Sequence, residues 1–474
     1  MSLSKVVAAT LLVAALTACE DASPLVEQPA TVPVVLDYST TPSDIGALLY
    51  LASDPGVDLL AVTLPGTGEA DCAPGTRNTR QLLAIAGRPD VPVGCGRDRP
   101  LSGHRDWPDE WRRAANALPR IPVQRLGQGP VVDAEAMLPD VLERAGRPVT
   151  VVAVGPLTNI AVTLAAHPEL ASTIERIVVM GGAVDVAGNV PDAPSAEWNL
   201  YIDPEAARIV LGSGVPVLLV PLDATNDVPF GRTELLRLGL LETPAGVAEY
   251  QRMSAQTFFD GAFMWDELAA VATMRPETVT VERRRLVVDA DGATLARDDG
   301  SPVDVAVAAD PAAFDHEFRR VLNGGSLPPI PPLTSEELGY LTALSAGLRR
   351  AEAQAQASFE ALADADVHAQ AAAFISGTVD AVAGLEADLR HRETPPGLTD
   401  AMTRLWATTD AIRAAEGDLL AAVPGVDGAD VWAVIETVFE QVRPDATIED
   451  LFAVTEELED YSLLRGGPDL GLTQ

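Results

Sequence analysis

From residue 33 onward, runs of β-branched and other apolar residues alternate with stretches of helical spacing. Val32 to Leu36, Leu59 to Thr63, Val91 to Val93, Pro148 to Val154, Ile177 to Met180 and Val215 to Leu222 are apolar almost throughout. A strand with one wet face alternates apolar and polar residues, whereas a strand apolar at nearly every position is covered on both faces. Between these runs, Asp44 to Leu51, Arg77 to Ala86 and the stretch from Thr158 have helical spacing. The pattern predicts an α/β fold, an open and mostly parallel sheet with helices on both faces. Ligands in such folds sit at the carboxyl ends of the strands, so the polar residues there are the ones to examine.

Near residue 281 the pattern changes. Arg285 to Val288, then Asp289-Ala290-Asp291-Gly292, then Ala293 to Leu295 reads as a hairpin. A final helix, Pro311 to Leu322, ends at Gly324-Gly325 and closes a domain spanning 33–323. Residues 324–333, rich in Gly and Pro, form a stiff linker. Thr334-Ser-Glu-Glu337 is a capping box that opens a helix. Leu338, Leu341, Leu344 and Leu348 then repeat at helical spacing, as do Phe374, Ile375, Val379, Val382, Leu385 and Leu389. Residues 334–465 therefore read as an all-α helical bundle whose apolar stripes are its own core, followed by a tail, 466–474.

The chain has 474 residues, which suits two domains plus an export segment. Its formal net charge of −36 repels a phosphate backbone and argues against nucleic acid as a partner. It equally disfavours docking on an anionic membrane through basic patches. Lys5 precedes an apolar run, Val6 to Leu16, which is too short to span a bilayer comfortably. The ending Leu16-Thr17-Ala18-Cys19 resembles a bacterial lipobox. It implies a leader over 1–18, lipidation of Cys19, a tether over 19–32 and an extracytoplasmic, membrane-anchored protein in the cell envelope. The two remaining thiols, Cys72 and Cys95, read in an exported chain as one disulfide, with two buried free thiols as the other reading.

The richest polar segment starts at the end of the first strand, Asp37-Tyr-Ser39-Thr-Thr-Pro-Ser43-Asp44. Asp37 ends a buried run and Asp44 opens a helix, so side-chain oxygens gather at the edge of the sheet, as a hard cation such as Ca²⁺ requires. Taken alone, Asp44 is equally a first-turn helix acid and Ser43 its N-cap. Three further stretches bear on that choice: Gly155-Pro-Leu-Thr158-Asn159; Met180-Gly181-Gly182 continuing to Gly188-Asn189, Glu197-Trp198-Asn199 and Asp203-Pro-Glu205-Ala-Ala; and Met264-Trp265-Asp266-Glu-Leu-Ala.

Together, in this order, these segments resemble the inosine-uridine preferring nucleoside hydrolase family over residues 33 to 322. Thr76-Arg77-Asn78 and the stretch from Val91 through Asp98 to Leu101 match as well, and the helical region lies outside the resemblance. The resemblance implies Ca²⁺ at the base of a cleft and cleavage of the N-glycosidic bond of ribonucleosides. It assigns the metal to Asp44, the Val154 carbonyl and Asp266, and the ribose to Asn189, Glu197 and Asn199. Asp37 falls on the opening aspartate of the family's motif.

The chain also departs from the family. Ser39 stands where the family has a metal-binding aspartate thought to be the general base, and Ser43 replaces a ribose-contacting aspartate. Gly68 stands in place of an asparagine, and Trp265 replaces a histidine that often protonates the leaving base. General-base assistance contributes roughly 10²- to 10⁴-fold, or about 3 to 5 kcal/mol, and a neutral hydroxyl does not supply it. One fewer anion also weakens the metal site. Asp37, Glu69 beside Gly68, or the metal itself are the remaining ways to activate a water. His104 and Trp107 lie in a loop where family members carry substrate-contacting residues. Two functions follow: a metal-assisted hydrolase of an N-riboside, or a lipoprotein that binds a nucleoside or sugar without turnover. In either case the helical domain is free to engage a protein partner.

Overall fold

The apolar runs become the centre of one ten-stranded sheet. Its strands are β1 (Val32–Asp37), β2 (Val57–Leu64), β3 (Val93–Cys95), β4 (Val132–Asp133), β5 (Val149–Ala153), β6 (Ile174–Met180), β7 (Val217–Val220), β8 (Val279–Val288), β9 (Thr294–Ala296) and β10 (Ser301–Ala309). The computed structural model describes residues 31–118, 121, 130–255, 262–360, 366–426, 430–442 and 448–470. The leader, Cys19 and nearly all of the tether lie outside the described residues, as does the side chain of Ser43.

The strand order is β4-β3-β2-β1-β5-β6-β7-β10-β8-β9. Every pairing from β4 to β10 is parallel, and β8 joins β10 and β9 antiparallel. The centre is apolar because both its faces are covered: Val34, Val35, Leu36, Val149 and Val152 are fully buried. β8, near the edge, carries the exposed run Thr280-Val281-Glu282-Arg283 instead. β4, two exposed residues long, has no apolar pattern from which to predict it.

β1 pairs with β2 on one side and β5 on the other. The chain builds outward through β2, β3 and β4, then crosses back to β5. Connections leaving β1 and β5 diverge in opposite directions, which opens a crevice at their carboxyl ends. The turn out of β1 is tight and places Thr40 at φ 64°, an uncommon region for a β-branched residue. Thr41 caps the Pro42–Ser53 helix in a capping box with Asp44, and Pro42 begins it.

The chain divides into two compact units. One holds the described residues up to Val228 together with Met264–Phe314, and the other holds Pro229–Phe263 with the chain from Asp315 onward. The single break expected at 324–333 is therefore replaced by crossings at Val228, at Met264 and within the Pro311–Leu322 helix. The Arg232–Leu238 and Pro244–Met253 helices join the second unit through named contacts. Arg232 pairs with Asp460 at 2.5 Å and Glu456 at 2.7 Å, and the Thr243 hydroxyl donates to the Leu322 carbonyl. Local periodicity reports what kind of element a segment forms, not which neighbours it packs on.

The rest of the second unit is helical: Ser335–Glu360, Val367–Leu389, Thr399–Ala422, Val431–Val442 and Ile448–Leu464. Leu341, Leu344, Leu389, Leu405 and Leu458 form one of its cores, and Ile375, Ile412, Leu419 and Val438 another. The Thr334 capping box closes as the sequence predicts, with Thr334 N donating to Glu337 at 2.7 Å and Glu337 N to the Thr334 hydroxyl at 3.1 Å. Among the described residues no helix is long and apolar enough to cross a membrane.

Candidate active site

Asp44 is the hub of the crevice. Its side chain is fully buried, and Oδ2 accepts from Ser39 N at 2.9 Å, Ser39 Oγ at 2.8 Å and Thr41 N at 2.7 Å. Ser39 thus spends its only proton on Asp44 and turns its lone pairs elsewhere. Asp44 Oδ1 meets no N–H or O–H donor among the described residues. The Asp266 carboxyl, in the first turn of the Trp265–Met274 helix and 3% exposed, is in hydrogen-bond contact with Asp44. Trp265 beside it is half-buried.

Asp37 does not line the crevice in the same way. Its wholly buried Oδ1 accepts from Thr63 Oγ1 at 2.5 Å and Asn159 Nδ2 at 2.8 Å. It clasps the tips of β1 and β2 to the helix after β5. Asn159 was legible as part of the Gly-Pro-Leu-Thr-Asn run, but its partner lies 122 residues away in sequence.

The β5–β6 side supplies Val154, Glu197 and Asn199. Asn199 Nδ2 donates to the Met180 carbonyl at 3.2 Å and reaches the Val154 carbonyl at 3.4 Å. Glu197 caps the Trp198–Ile202 helix: it accepts from Asn199 N at 2.8 Å, Leu200 N at 3.2 Å and, across the loop, Gly182 N at 2.9 Å. Asn189 is exposed and accepts from Trp198 N at 3.2 Å.

The loop after β2 forms the other wall. Cys72 and Cys95 are disulfide-bonded, with Cα atoms 5.6 Å apart, and tie the loop's end to β3. Asp203 accepts from Thr158 Oγ1 at 2.8 Å, and Thr158 lies 2.9 Å from the Thr67 hydroxyl. A carboxylate only accepts, so Thr158 donates to Asp203 and Thr67 donates to Thr158. Trp107 donates from Nε1 to the Thr67 carbonyl at 3.0 Å and stacks on Trp198 with ring centres 5.3 Å apart. Trp111 packs on both rings and is 39% exposed. His104 lies on the exposed surface of the same loop. Motifs alone missed Arg112, Trp111, and the Thr67–Thr158–Asp203 relay, because each depends on long-range folding.

Burial raises four carboxyl groups here. Asp37 is pushed up to about 7, against the lowering bonds from Thr63 and Asn159. Asp44 is pushed up to about 6, against the lowering bonds from Thr41, Ser39 and Asp266. Glu69 is pushed up to about 8 by burial and the Asp44 charge, with Arg112 opposing. Glu197 is pushed up to about 6 despite its three backbone donors. Buried carboxyls with raised pKa values mark a functional crevice more often than a structural one.

Two carboxyl groups in hydrogen-bond contact need a proton or a cation between them. Asp44 and Asp266, the Val154 carbonyl and the Ser39 hydroxyl are hard oxygen donors, which is the chemistry Ca²⁺ takes. Among the described residues no cluster of three or more His, Cys, Asp or Glu side chains is placed to hold a metal. The oxygens fit a calcium ion with only two carboxylates, water completing a shell of about six to eight oxygens.

The family model for inosine-uridine preferring nucleoside hydrolases matches residues 34–316. A pyrimidine-specific ribonucleoside hydrolase, RihA of Salmonella agona, is 31% identical over 273 residues, covering 55% of this chain and 85% of that protein. An uncharacterized protein of Schizosaccharomyces pombe is 35% identical over 257 residues, 52% of this chain and 80% of its own. Among solved structures, a plant nucleoside hydrolase superposes with a TM-score of 0.55 at 27% identity, covering 62% of this chain and 99% of that one. A purine-preferring ribonucleoside hydrolase from Gardnerella vaginalis gives 0.54 at 25% identity, covering 62% and 98%.

Proposed function

We propose, from the premise that the chain belongs to the inosine-uridine preferring nucleoside hydrolase family, that it hydrolyses the N-glycosidic bond of a ribonucleoside or related N-riboside with the help of Ca²⁺. The observation that carries the metal is the buried Asp44–Asp266 contact beside an unpaired Asp44 oxygen. Asp44, Asp266 and the Val154 carbonyl would hold the ion, with Ser39 Oγ as a neutral fourth oxygen. When bound, calcium supplies a positive charge that orients a water and sugar hydroxyls. Asn199, fixed through its amide nitrogen, keeps its carbonyl oxygen for a sugar hydroxyl. Asn189 and Ser43 stand at the positions that contact ribose in the resemblance. The wall of Trp107 and Trp198 excludes water from one side of the crevice. An oxocarbenium-like transition state gains most from such a dry, acidic environment.

A second reading rests on Ser39. Its hydroxyl donates to Asp44 and is no base at neutral pH. A pocket that kept its sugar contacts and lost this carboxylate would bind a nucleoside without turnover.

The test uses the full chain with Ca²⁺ or EDTA and a panel of purine and pyrimidine ribonucleosides. Thermal stabilisation by Ca²⁺ with release of reducing sugar is the expected result. Stabilisation by Ca²⁺ and nucleoside without sugar release would establish the binding reading. No response to Ca²⁺ would overturn the metal site.

We further propose that Cys19 is lipidated and anchors the protein on the extracytoplasmic side of a bacterial membrane. The Cys72–Cys95 disulfide supports an oxidising compartment. Cells fed a labelled fatty acid are expected to label the protein. Equal labelling of a Cys19→Ala chain would overturn the anchor.

A further inference from the structure

The loop between β2 and the Cys72–Ile85 helix is held along its length except at one side chain. Gly68 N donates to the Pro65 carbonyl at 2.8 Å, and the Gly68 carbonyl accepts from Arg112 at 3.5 Å. Thr67 is bonded to Thr158 and Trp107, and Ala70 N donates to the Ser39 carbonyl at 3.1 Å. Asp71 exchanges two hydrogen bonds with Asn116, at 2.9 and 2.8 Å, and Cys72 is in the disulfide. Glu69, in the middle, is 4% exposed, and its carboxyl accepts no hydrogen bond from the described residues. Its oxygens are not among the sealed, partnerless ones, so the carboxyl of this largely buried side chain still meets solvent.

The loop also lies directly on Ser39. A Cβ built on Gly68 would stand 2.6 Å from Ser39 Cβ, and one on Gly155 would stand 3.1 Å from it. Position 68 has no room for a side chain, and position 155 would take one only if Ser39 gave way slightly. The bare glycine at 68 thus lies against Ser39, and the next residue, Glu69, is within reach of the Asp44 charge.

We infer that Glu69 supplies the catalytic carboxylate that position 39 lacks, displaced from the strand tip to the neighbouring loop. This rests on the nucleoside hydrolase reading above. The water oxygen forms a bond to the anomeric carbon while the bond to the base nitrogen breaks, its electron pair leaving with the base. The water's proton passes to Glu69. The departing base takes a proton from solvent, and Glu69 returns its own to solvent. Arg112 opposes the rise that burial and the Asp44 charge impose on Glu69, so the carboxylate form is the minor one at neutral pH and the rate is expected to climb as pH rises towards 8.

The experiment compares four full-length proteins: wild type, Glu69→Gln, Ser39→Asp and the double variant. Melting temperatures establish that each is folded, and kcat and KM are measured for the best nucleoside substrate. Glu69→Gln is expected to lower kcat by about 10²-fold or more with KM little changed. In the Ser39→Asp background, where the motif carboxylate is restored, the same change is expected to cost less than about tenfold. Should Glu69→Gln melt early, Glu69→Asp, which keeps the charge, is expected to retain more rate than a Glu69→Ala chain of equal stability. Equal losses in both backgrounds, or a Glu69→Gln kcat within about threefold of wild type, would overturn the assignment. An inert wild type beside an active Ser39→Asp would overturn Glu69 alone. If all four proteins are inert on every nucleoside, the nucleoside hydrolase reading fails, and Glu69 with it.

Discussion

The two walls of the crevice keep their acidic side chains for different reasons. On the β5–β6 wall, Glu197 satisfies three backbone N–H groups and Asn199 braces two carbonyls. The resemblance assigns these residues to the sugar, yet each also has a structural job that accounts for its presence. On the β1–β2 wall, where the resemblance implies acids at 39 and 43 and the chain has serines, Asp44 takes three donors on Oδ2 but leaves its other oxygen without one. Glu69 beside it accepts no hydrogen bond from the described residues and feels only the charges of Asp44 and Arg112. Agreement with a family motif is therefore weak evidence for chemistry where the backbone explains the residue. Unpaired buried charge is the stronger sign, because the fold gains nothing from it.

The largest effect that would test this contrast comes from Asp44. Burial raises its carboxyl from an ordinary value of 3.8 to about 6. The folded chain therefore binds more protons than the unfolded chain between those values. Stability contributed by this group is present at low pH and lost as pH rises through the window. Glu69, raised to about 8, extends the same trend upwards. Calcium replaces the proton, so its stabilisation grows with pH and reaches about 2.7 kcal/mol at a hundredfold excess over Kd. Melting curves from pH 5 to 8 with EDTA are expected to fall, and curves with Ca²⁺ to stay level. Asp44→Asn is expected to abolish the calcium gain and to lower kcat/KM by at least about 10³-fold. A calcium gain that survives in this variant would place the ion elsewhere and remove the contrast between the walls.

The fold was legible where burial imposes composition. β1, β5 and β6 read as apolar runs because helices cover both their faces, and the strand order then puts the crevice at the β1–β5 boundary. The second unit's claim on residues 229–263 was not legible, since Arg232 declares its partners only when Glu456 and Asp460 fold beside it. The site divides likewise. Asp44, Val154 and Asp266 follow from motif and strand position. Glu69 is named by a gap in the motif, but its burial depends on Gly68 lying against Ser39. Arg112, on the Asp109–Ala117 helix, belongs to no motif, and its reach to Gly68, Asp71 and Asp106 appears only once the loop has folded against the helix. The disulfide was countable from three cysteines once one of them was assigned to the leader's end.

The smallest expected effect, from Glu197→Gln, decides what the retained wall is for. A glutamine offers one acceptor oxygen where the carboxylate offers two, and its amide nitrogen would face a backbone N–H. Gly182 N and Leu200 N share one carboxylate oxygen and Asn199 N takes the other, so the better amide orientation leaves Asn199 N without its partner. The cost of an unsatisfied buried donor is about 1–3 kcal/mol, which should appear as a lower melting temperature. If Glu197 serves the backbone, KM for a nucleoside rises only in proportion to that loosening, and Ca²⁺ still stabilises the variant. If instead Glu197 grips the sugar, KM rises tenfold or so for each ~1.4 kcal/mol of lost contact while the melting temperature holds. The first outcome keeps the two walls distinct, one a scaffold and the other the chemical side. The second makes Glu197 a ligand contact that caps a helix in passing, and the contrast between the walls collapses.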